Sequence, residues 1–242
     1  RPVNMKEVSM KAWWMLLVVL PVGALAEPAV QDFVPQGWKL TQQVDGDLNG
    51  DGRADKVLVL QQQDAAHWQD NEGLGAPRLN LNPRTLLVLW DTPQGYREAV
   101  RNTTLLPSEN SEDTPCLADP LEEGGISIRK QVLVVDLHYW LSCGSYGVNH
   151  MQYKFRHQQG AWPLIGLDVN SSSRNSYDTE QSSYNFATGK ALHTVVKTQS
   201  TVSSGSKAVR LSKPSRISNP RVDLRQSGVE AKLGQWLERN AL

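Results

Sequence analysis

Runs of apolar and β-branched residues recur along the chain and predict a protein built mainly of β-strands. Such runs, bounded by turn-forming residues, are typical of strands that are buried on one or both faces. The segments 157–160 and 185–190 contain glycine and predict hairpin turns. We therefore expect a mainly β fold, with antiparallel sheets in a propeller-like or sandwich-like domain. The expected strands are residues 56–61, 85–90, 126–129, 132–139, 152–156, 162–169 and 191–197.

The hydrophobic period changes at the end of the chain. Apolar side chains there follow helical spacing, so residues 229–242 predict an amphipathic C-terminal helix that caps the sheet. The residues before this helix, 198–220, are rich in Ser, Lys and Arg and contain few apolar side chains. We expect them to form a flexible or extended segment that acts as a solubilising tail.

The longest apolar run lies near the beginning of the chain, at residues 12–22. It follows Lys11 and precedes the small residues of segment 23–26. Because a membrane-spanning helix needs about 20 residues, this run predicts a signal peptide that is cleaved before Glu27. The expected organisation is an upstream extension and signal peptide (1–26), a β-rich calcium-loop domain (27–197), and a polar basic segment with the C-terminal helix (198–242).

Export implies an oxidising compartment, most simply a bacterial periplasm. No cysteine follows the expected cleavage site, which disfavours a lipoprotein anchor, and no later apolar run predicts a membrane span. The 25 basic and 25 acidic residues of the 242-residue chain cancel in charge. Since nucleic-acid-binding proteins of this size are usually basic, we expect no nucleic-acid partner. A protein or an envelope component is the expected partner, and the oligomeric state is left open.

The strongest chemical signal is the segment 45–56, DGDLNGDGRADK. Its side-chain oxygens recur at alternate positions, as in loops that curl around Ca²⁺, and Gly52 supplies the conformation of the sharp bend. Carboxylate and amide oxygens are hard donors that suit this ion, and Arg53 contributes only its backbone carbonyl. The predicted calcium ligands are Asp47, Asn49, Asp51, Arg53 and Asp55.

This loop is not a complete EF-hand. Leu58 occupies the twelfth position, where an EF-hand has a bidentate Glu, and a strand follows in place of a helix. The missing ligand predicts weak affinity, on the order of 10⁻⁴–10⁻³ M. We expect the ion to be structural and to order the start of the following strand. The alternative is an Asx-rich turn that binds no ion, because Asp, Asn and Gly are also common turn residues.

Several segments between residue 33 and about residue 196 together resemble a widespread group of uncharacterised bacterial periplasmic proteins. The loop in the second segment is similar to the calcium loops of integrin-type propeller repeats, which also lack the twelfth Glu. The resemblance implies an exported β-rich domain with a calcium-type loop, and it implies no activity. The segments are FVPQGW (33–38), GDLNGDGRADKVLVL (46–60), GGISIRKQVLVV (124–135), YKFRHQQGAWPLIGLDV (153–169) and SYNFATGK (183–190).

Cys116 and Cys143 are the only cysteines of the chain. In an oxidising compartment we expect them to form a disulfide. This bond would tie the acidic loop 107–125 to the end of the strand that precedes Cys143. The alternative is a nucleophilic Cys143 with His138 or His150 as its base, an arrangement that requires the two groups to meet in space.

The chain contains no P-loop, nucleophile elbow or zinc-protease motif. We therefore expect a non-enzymatic binding or interaction domain with a structural calcium ion. One alternative is a periplasmic hydrolase that acts on an envelope polymer, through Cys143 or through carboxylates of the acidic loop. Another is an inhibitor or immunity-type protein that binds a toxin.

Overall fold

The computed structural model of the protein describes residues 29–201 and 205–240. The predicted signal peptide and the upstream extension lie outside these residues. No helix in the described ranges is long and apolar enough to cross a membrane. Two short 3-10 helices, Val30–Phe33 and Ala65–His67, accompany the main elements. These elements are β1 (Trp38–Gly46), β2 (Asp55–Gln62), β3 (Trp68–Asp70), β4 (Arg78–Asn80), β5 (Arg84–Thr92), β6 (Gly95–Asn102), β7 (Gly125–Arg129), β8 (Val132–Trp140), β9 (Gly147–Arg156), β10 (Leu164–Ser173), β11 (Thr179–Asn185), β12 (Lys190–Thr201), β13 (Gly205–Arg216) and α1 (Val229–Asn240).

The strands form two main antiparallel sheets in a sandwich-like arrangement. One sheet has four strands in the order β1-β2-β5-β6, and the other has seven in the order β13-β12-β11-β10-β9-β8-β7. Strands β3 and β4 form a separate two-stranded ribbon. At one corner the Gln42 side chain of β1 donates to Leu121 O and accepts from Ile126 N, each at 3.3 Å. One hydrophobic core contains residues of both main sheets and of α1.

The two central strands of the four-stranded sheet are buried on both faces, which explains the continuous apolar runs of β2 and β5. Val57 and Val59 belong to the main core, whereas Leu58 and Leu60 point to the other face and join a second cluster. The N-terminal segment around Phe33 packs on that second cluster. A strand with both faces buried carries few polar residues, so its sequence shows little alternation.

The C-terminal helix packs on the inner face of the seven-stranded sheet, and this confirms the amphipathic helix predicted there. Its Trp236 ring lies edge-on to Tyr184 and Phe186, with ring centroids 5.6 and 5.2 Å away. The hydroxyls of Tyr139 and Tyr153 both donate to Glu230 in the first helical turn, each at 3.4 Å. Aromatic contacts and hydrogen bonds therefore fix the helix to the sheet.

All seven predicted strands are present, with bounds that differ by a few residues. The expected turns are also found, since residues 157–160 connect β9 to β10 and β12 follows β11 directly after residue 189. The mainly β antiparallel fold class is confirmed, and its form is sandwich-like. The strands that the sequence pattern did not predict are β1, β3, β4, β6, β11 and β13.

The basic segment 198–220 is not the solubilising tail that we expected. Residues 205–216 form β13, which pairs with β12 along its whole length. The expected boundary after residue 197 falls inside β12. Val222 and Leu224, which follow β13, are buried in the main core. Backbone pairing thus holds a polar stretch in the sheet, and the side chains of residues 210–214 are exposed.

Candidate functional site

The calcium-type loop is the turn of the β1–β2 hairpin, which closes with Gly46 opposite Asp55. Both carboxylate oxygens of Asp47 accept backbone N–H groups, from Gly50 at 2.6 Å and from Gly52 at 3.0 Å. These two glycines have φ values of +84° and +83°, which glycine adopts without steric cost. The expected sharp bend is therefore present at Gly52 and is repeated at Gly50.

The other polar side chains of the turn also bind within it. The Asn49 Oδ1 atom accepts from the Asp51 amide at 2.9 Å, and the Asp51 Oδ1 atom accepts from the Arg53 amide at 2.8 Å. The Asn49 Nδ2 atom donates to the second Asp51 oxygen at 3.1 Å. The Arg53 guanidinium forms an ion pair with Asp91 at 3.0 Å. The bonds that Asn49 and Asp51 accept from backbone amides are the Asx-turn bonds that order a tight turn.

Asp55 is the buried member of the predicted ligand set. Its side chain is fully buried, and its two oxygens accept the amides of Leu48 at 2.8 Å and Asp91 at 3.1 Å. Burial raises the pKa of Asp55, the two amide bonds act against that rise, and the negative charges of Asp51 and Asp47 add to it. Asp55 therefore connects the turn to the end of β5 through backbone bonds.

The turn thus brings the five predicted ligand residues together, and the side-chain oxygens among them accept amide N–H groups of the protein. Across residues 29–201 and 205–240, no group of three or more His, Cys, Asp or Glu side chains is placed to hold a metal ion. This hydrogen-bond pattern is that of an Asx-rich turn, and it leaves lone pairs of the carboxylates available to an ion. Calcium binding stays a prediction from the sequence.

The expected disulfide between Cys116 and Cys143 is present, with a Cα–Cα distance of 5.4 Å. Backbone bonds support the same connection, because Ser142 N donates to Cys116 O at 2.8 Å and Ala118 N donates to Trp140 O at 3.0 Å. The acidic loop is thereby tied to the end of β8. Since the Cys143 sulfur is bonded to Cys116, it has no thiolate to act as a nucleophile.

The acidic loop also supplies a buried ion pair. Arg84, which is 4% exposed, donates from both terminal nitrogens to the two Asp119 oxygens at 2.6 Å each. Such a two-point pair fixes geometry as well as charge. Asp119 is therefore committed to Arg84 and is not one of a free pair of catalytic carboxylates. Glu122 and Glu123 are exposed, as expected for a solvated loop.

The histidines proposed as bases lie next to each other on β8 and β9. The rings of His138 and His150 are 4.9 Å apart, and each faces a carboxylate. Glu123 lies 3.0 Å from His138, and Asp136 lies 3.1 Å from His150. The pair belongs to the outer face of the seven-stranded sheet, away from the main core. Asn170 on β10 pairs in register with His150 and continues the same row of polar residues.

The outer face of the sheet also carries an open groove over β10–β13. The strand register aligns Asp168, Ser183, Leu192 and Pro214 side by side across these four strands. Two depressions of about 700 and 220 Å³ share Ser183 and Leu192 in their walls and so form one groove. A volume of this order is typical of ligand sites.

The groove follows from the alternation of the strands. Along β12, Ala191 points into the core and is 5% exposed, whereas Leu192 points outward and is 44% exposed. Adjacent residues of a strand face opposite sides of a sheet. The sequence alone could not reveal this site, because it requires the register of β13, a strand that the hydrophobic pattern does not predict.

Comparison of the chain with protein-family models, with curated proteins and with solved structures returned no match. The resemblance to periplasmic proteins with a calcium-type loop therefore stays a prediction.

Proposed function

We propose that this protein is an exported, periplasmic, non-enzymatic binding domain whose ligand surface is the outer face of the seven-stranded sheet. The observation that carries the proposal is the groove over β10–β13. Its walls hold exposed amides, hydroxyls and cations around exposed Leu192 and Pro214. A partly apolar surface with polar groups around it is the usual form of a binding site.

Export is supported by the disulfide, because such bonds persist in oxidising compartments and are rare in the cytosol. A non-enzymatic role is supported by the candidate nucleophile and acids. Cys143 is joined to Cys116, and Asp119 is held by Arg84. Of the other carboxylates in the acidic loop, Glu109 is half-buried and accepts from Asn80 at 2.8 Å, whereas Glu122 and Glu123 are exposed. A hydrolase that uses Cys143 or Asp119 would need the contact with Cys116 or with Arg84 to break.

The proposal is tested by mapping ligand contacts on the full chain, expressed in a bacterial host and recovered from its periplasm. The mass of the recovered protein shows whether cleavage occurs before Glu27. The ¹⁵N-labelled protein is then titrated with separate envelope components, namely peptidoglycan fragments, lipopolysaccharide and capsular glycans. We expect at least one component to shift the amide signals of β10–β13. Shifts confined to the β1–β2 turn, or no shifts with any component, would contradict the proposal.

We also propose a structural Ca²⁺ ion at the β1–β2 turn. It is supported by the three aspartates of one tight turn, whose like charges repel each other. The Asp47 and Asp51 oxygens that accept turn amides keep further lone pairs that can bind the ion. Calcium at about 100 times its dissociation constant should add roughly 2.7 kcal/mol to the unfolding free energy.

The calcium proposal is tested by melting the protein with excess Ca²⁺ and with chelator. The matched variant is Asp47→Asn/Asp51→Asn, because each Asn keeps one side-chain oxygen that can accept a turn amide, while the two substitutions remove two negative charges. We expect the calcium-dependent rise in melting temperature to disappear in the variant. If the wild-type protein melts equally with Ca²⁺ and with chelator, the segment 45–56 is a turn that binds no ion, and the calcium proposal is contradicted.

A further inference from the structure

One end of the groove carries two cations that face each other across two strands. Lys190 on β12 lies opposite Arg216 on β13, and both side chains are exposed. Neither forms an ion pair with any residue in the described ranges. Among the residues that the structure describes, those in the walls of this end include no acid. Two unpaired cations at one end of a groove attract an anionic group.

Between the cations and the middle of the groove lies a small apolar patch. Leu192 is 44% exposed and pairs in register with Pro214, which is also exposed. Ser183 and Asn185 border this patch with a hydroxyl and an amide. The surface is open, so it suits the flat face of a sugar ring better than an acyl chain, which needs enclosure on all sides.

The other end of the groove carries one cation, Arg210. Arg210 lies six residues before Arg216 on β13, a distance of about 20 Å along an extended strand. Gln181 and Thr194 lie between the two ends. The acid in this part is Asp168, whose oxygens already accept from Lys154 and, at 2.7 Å, from Ser183. Its charge is therefore compensated within the protein.

We propose that the groove binds an acidic polysaccharide, with uronate carboxylates at Lys190, Arg216 and Arg210 and a sugar ring on Leu192. This inference rests on the proposed binding function and names its ligand class. Charge complementarity selects an anion, and the distance between the two cationic ends selects a chain longer than one sugar. The exposed Gln181 amide between the ends is suited to sugar hydroxyl groups.

The test compares binding of polygalacturonate oligosaccharides with binding of their methyl esters, which keep the sugar rings and lose the charges. The variant Lys190→Gln/Arg216→Gln should weaken binding of the charged oligosaccharide by about tenfold or more, since it removes two charge-assisted contacts. The matched control is Lys197→Gln/Lys213→Gln, which removes two charges from the same strands. Because Lys197 and Lys213 lie at odd positions, on the opposite face, the control should change affinity by less than about twofold.

A second variant, Leu192→Asn, leaves the cations in place and should also weaken binding, by loss of the apolar contact with the sugar ring. Equal affinity for the charged and esterified oligosaccharides would overturn the proposed ligand class. Equal losses in the groove and control variants would show general attraction of a polyanion and would overturn the site. Binding of another envelope component to β10–β13, without binding of polyuronate, would overturn this inference and leave the proposed function standing. If no envelope component binds to β10–β13, both this inference and the proposed function are overturned.

Discussion

Removal of the Cys116–Cys143 disulfide should lower the unfolding free energy by about 3.5 kcal/mol. The two cysteines are 27 residues apart in the sequence, and the loop-closure model gives about this value for a ring of that size. The ring contains β7, β8 and the end of the acidic loop. Without the bond, the unfolded chain gains freedom over this whole stretch. The folded chain keeps the backbone bonds that join Cys116 to Ser142 and Ala118 to Trp140.

The assay is urea unfolding of the wild-type protein and of Cys116→Ser/Cys143→Ser, followed by tryptophan fluorescence. Because domains of this kind have a total stability of about 5–15 kcal/mol, a loss of this size is readily measured. The reduced wild-type protein is the control and should match the variant, since it lacks the bond but keeps both cysteines. A difference below about 1 kcal/mol between the oxidised protein and the variant would refute the loop-closure argument.

Three further changes test contacts of the fold. Asp223 accepts from the Trp162 amide and from Arg225, and although burial acts to raise its pKa, these bonds outweigh it and lower the pKa. Because the folded pKa is depressed, the stabilisation is present above the unfolded pKa of about 3.9 and is lost as pH falls through the folded value. Asp223→Asn should therefore lower the unfolding free energy by about 1–3 kcal/mol at pH 7. In urea unfolding from pH 7 downward, the difference in unfolding free energy between wild type and variant should close below about pH 4, and a difference that stays constant would contradict this. Arg84→Met should cost about 3 kcal/mol by leaving the Asp119 charge unpaired, which urea unfolding beside the exposed control Arg101→Met checks; a cost no larger than the control's would disprove it. Lys130 and Gln131 form a two-residue hairpin turn with φ of +50° and +62°. Lys130→Asn/Gln131→Gly should therefore raise the unfolding free energy by about 1 kcal/mol, and a thermal melt in which the variant has a lower melting temperature than the wild type would contradict this.

The strands that the sequence pattern predicted are those whose side chains supply the core. Residues 56–61 and 85–90 are apolar on both faces because both faces of the four-stranded sheet are covered. The C-terminal helix was predicted for the same reason, since Val229, Leu233 and Trp236 carry its buried face. In each case burial dictated the residue types, so the residue types predicted the element.

The strands that escaped prediction take their place by backbone pairing. β13 is rich in Lys, Arg and Ser, as is usual for an edge strand with an exposed face. β1 alternates half-buried and exposed positions with glutamines and a threonine, and its apolar signal is weak. Register with a neighbouring strand is a long-range property, and hydrophobic periodicity within a short window does not contain it.

The candidate sites also divide into those that local sequence predicts and those that need long-range register. The disulfide was predicted because the chain has two cysteines and an expected oxidising compartment, and the sharp turn at Gly52 was predicted from the motif. The direction of the aspartate oxygens did not follow, because the spacing that suits Ca²⁺ also suits bonds to the amides of Gly50 and Gly52. The groove needed the alignment of four strands before Leu192, Lys190 and Arg216 could be placed together.

The proposed contact between the outer face of β10–β13 and an envelope ligand is tested by photocrosslinking in living cells. A photoreactive phenylalanine analogue is placed at Ser183 or Leu192 on the outer face, and at Lys197 on the opposite face as the control. We predict adducts with one envelope component from the two outer positions and none from position 197. Adducts from position 197 alone, or none from any position in a correctly exported protein, would contradict the proposed contact of the outer face with an envelope ligand.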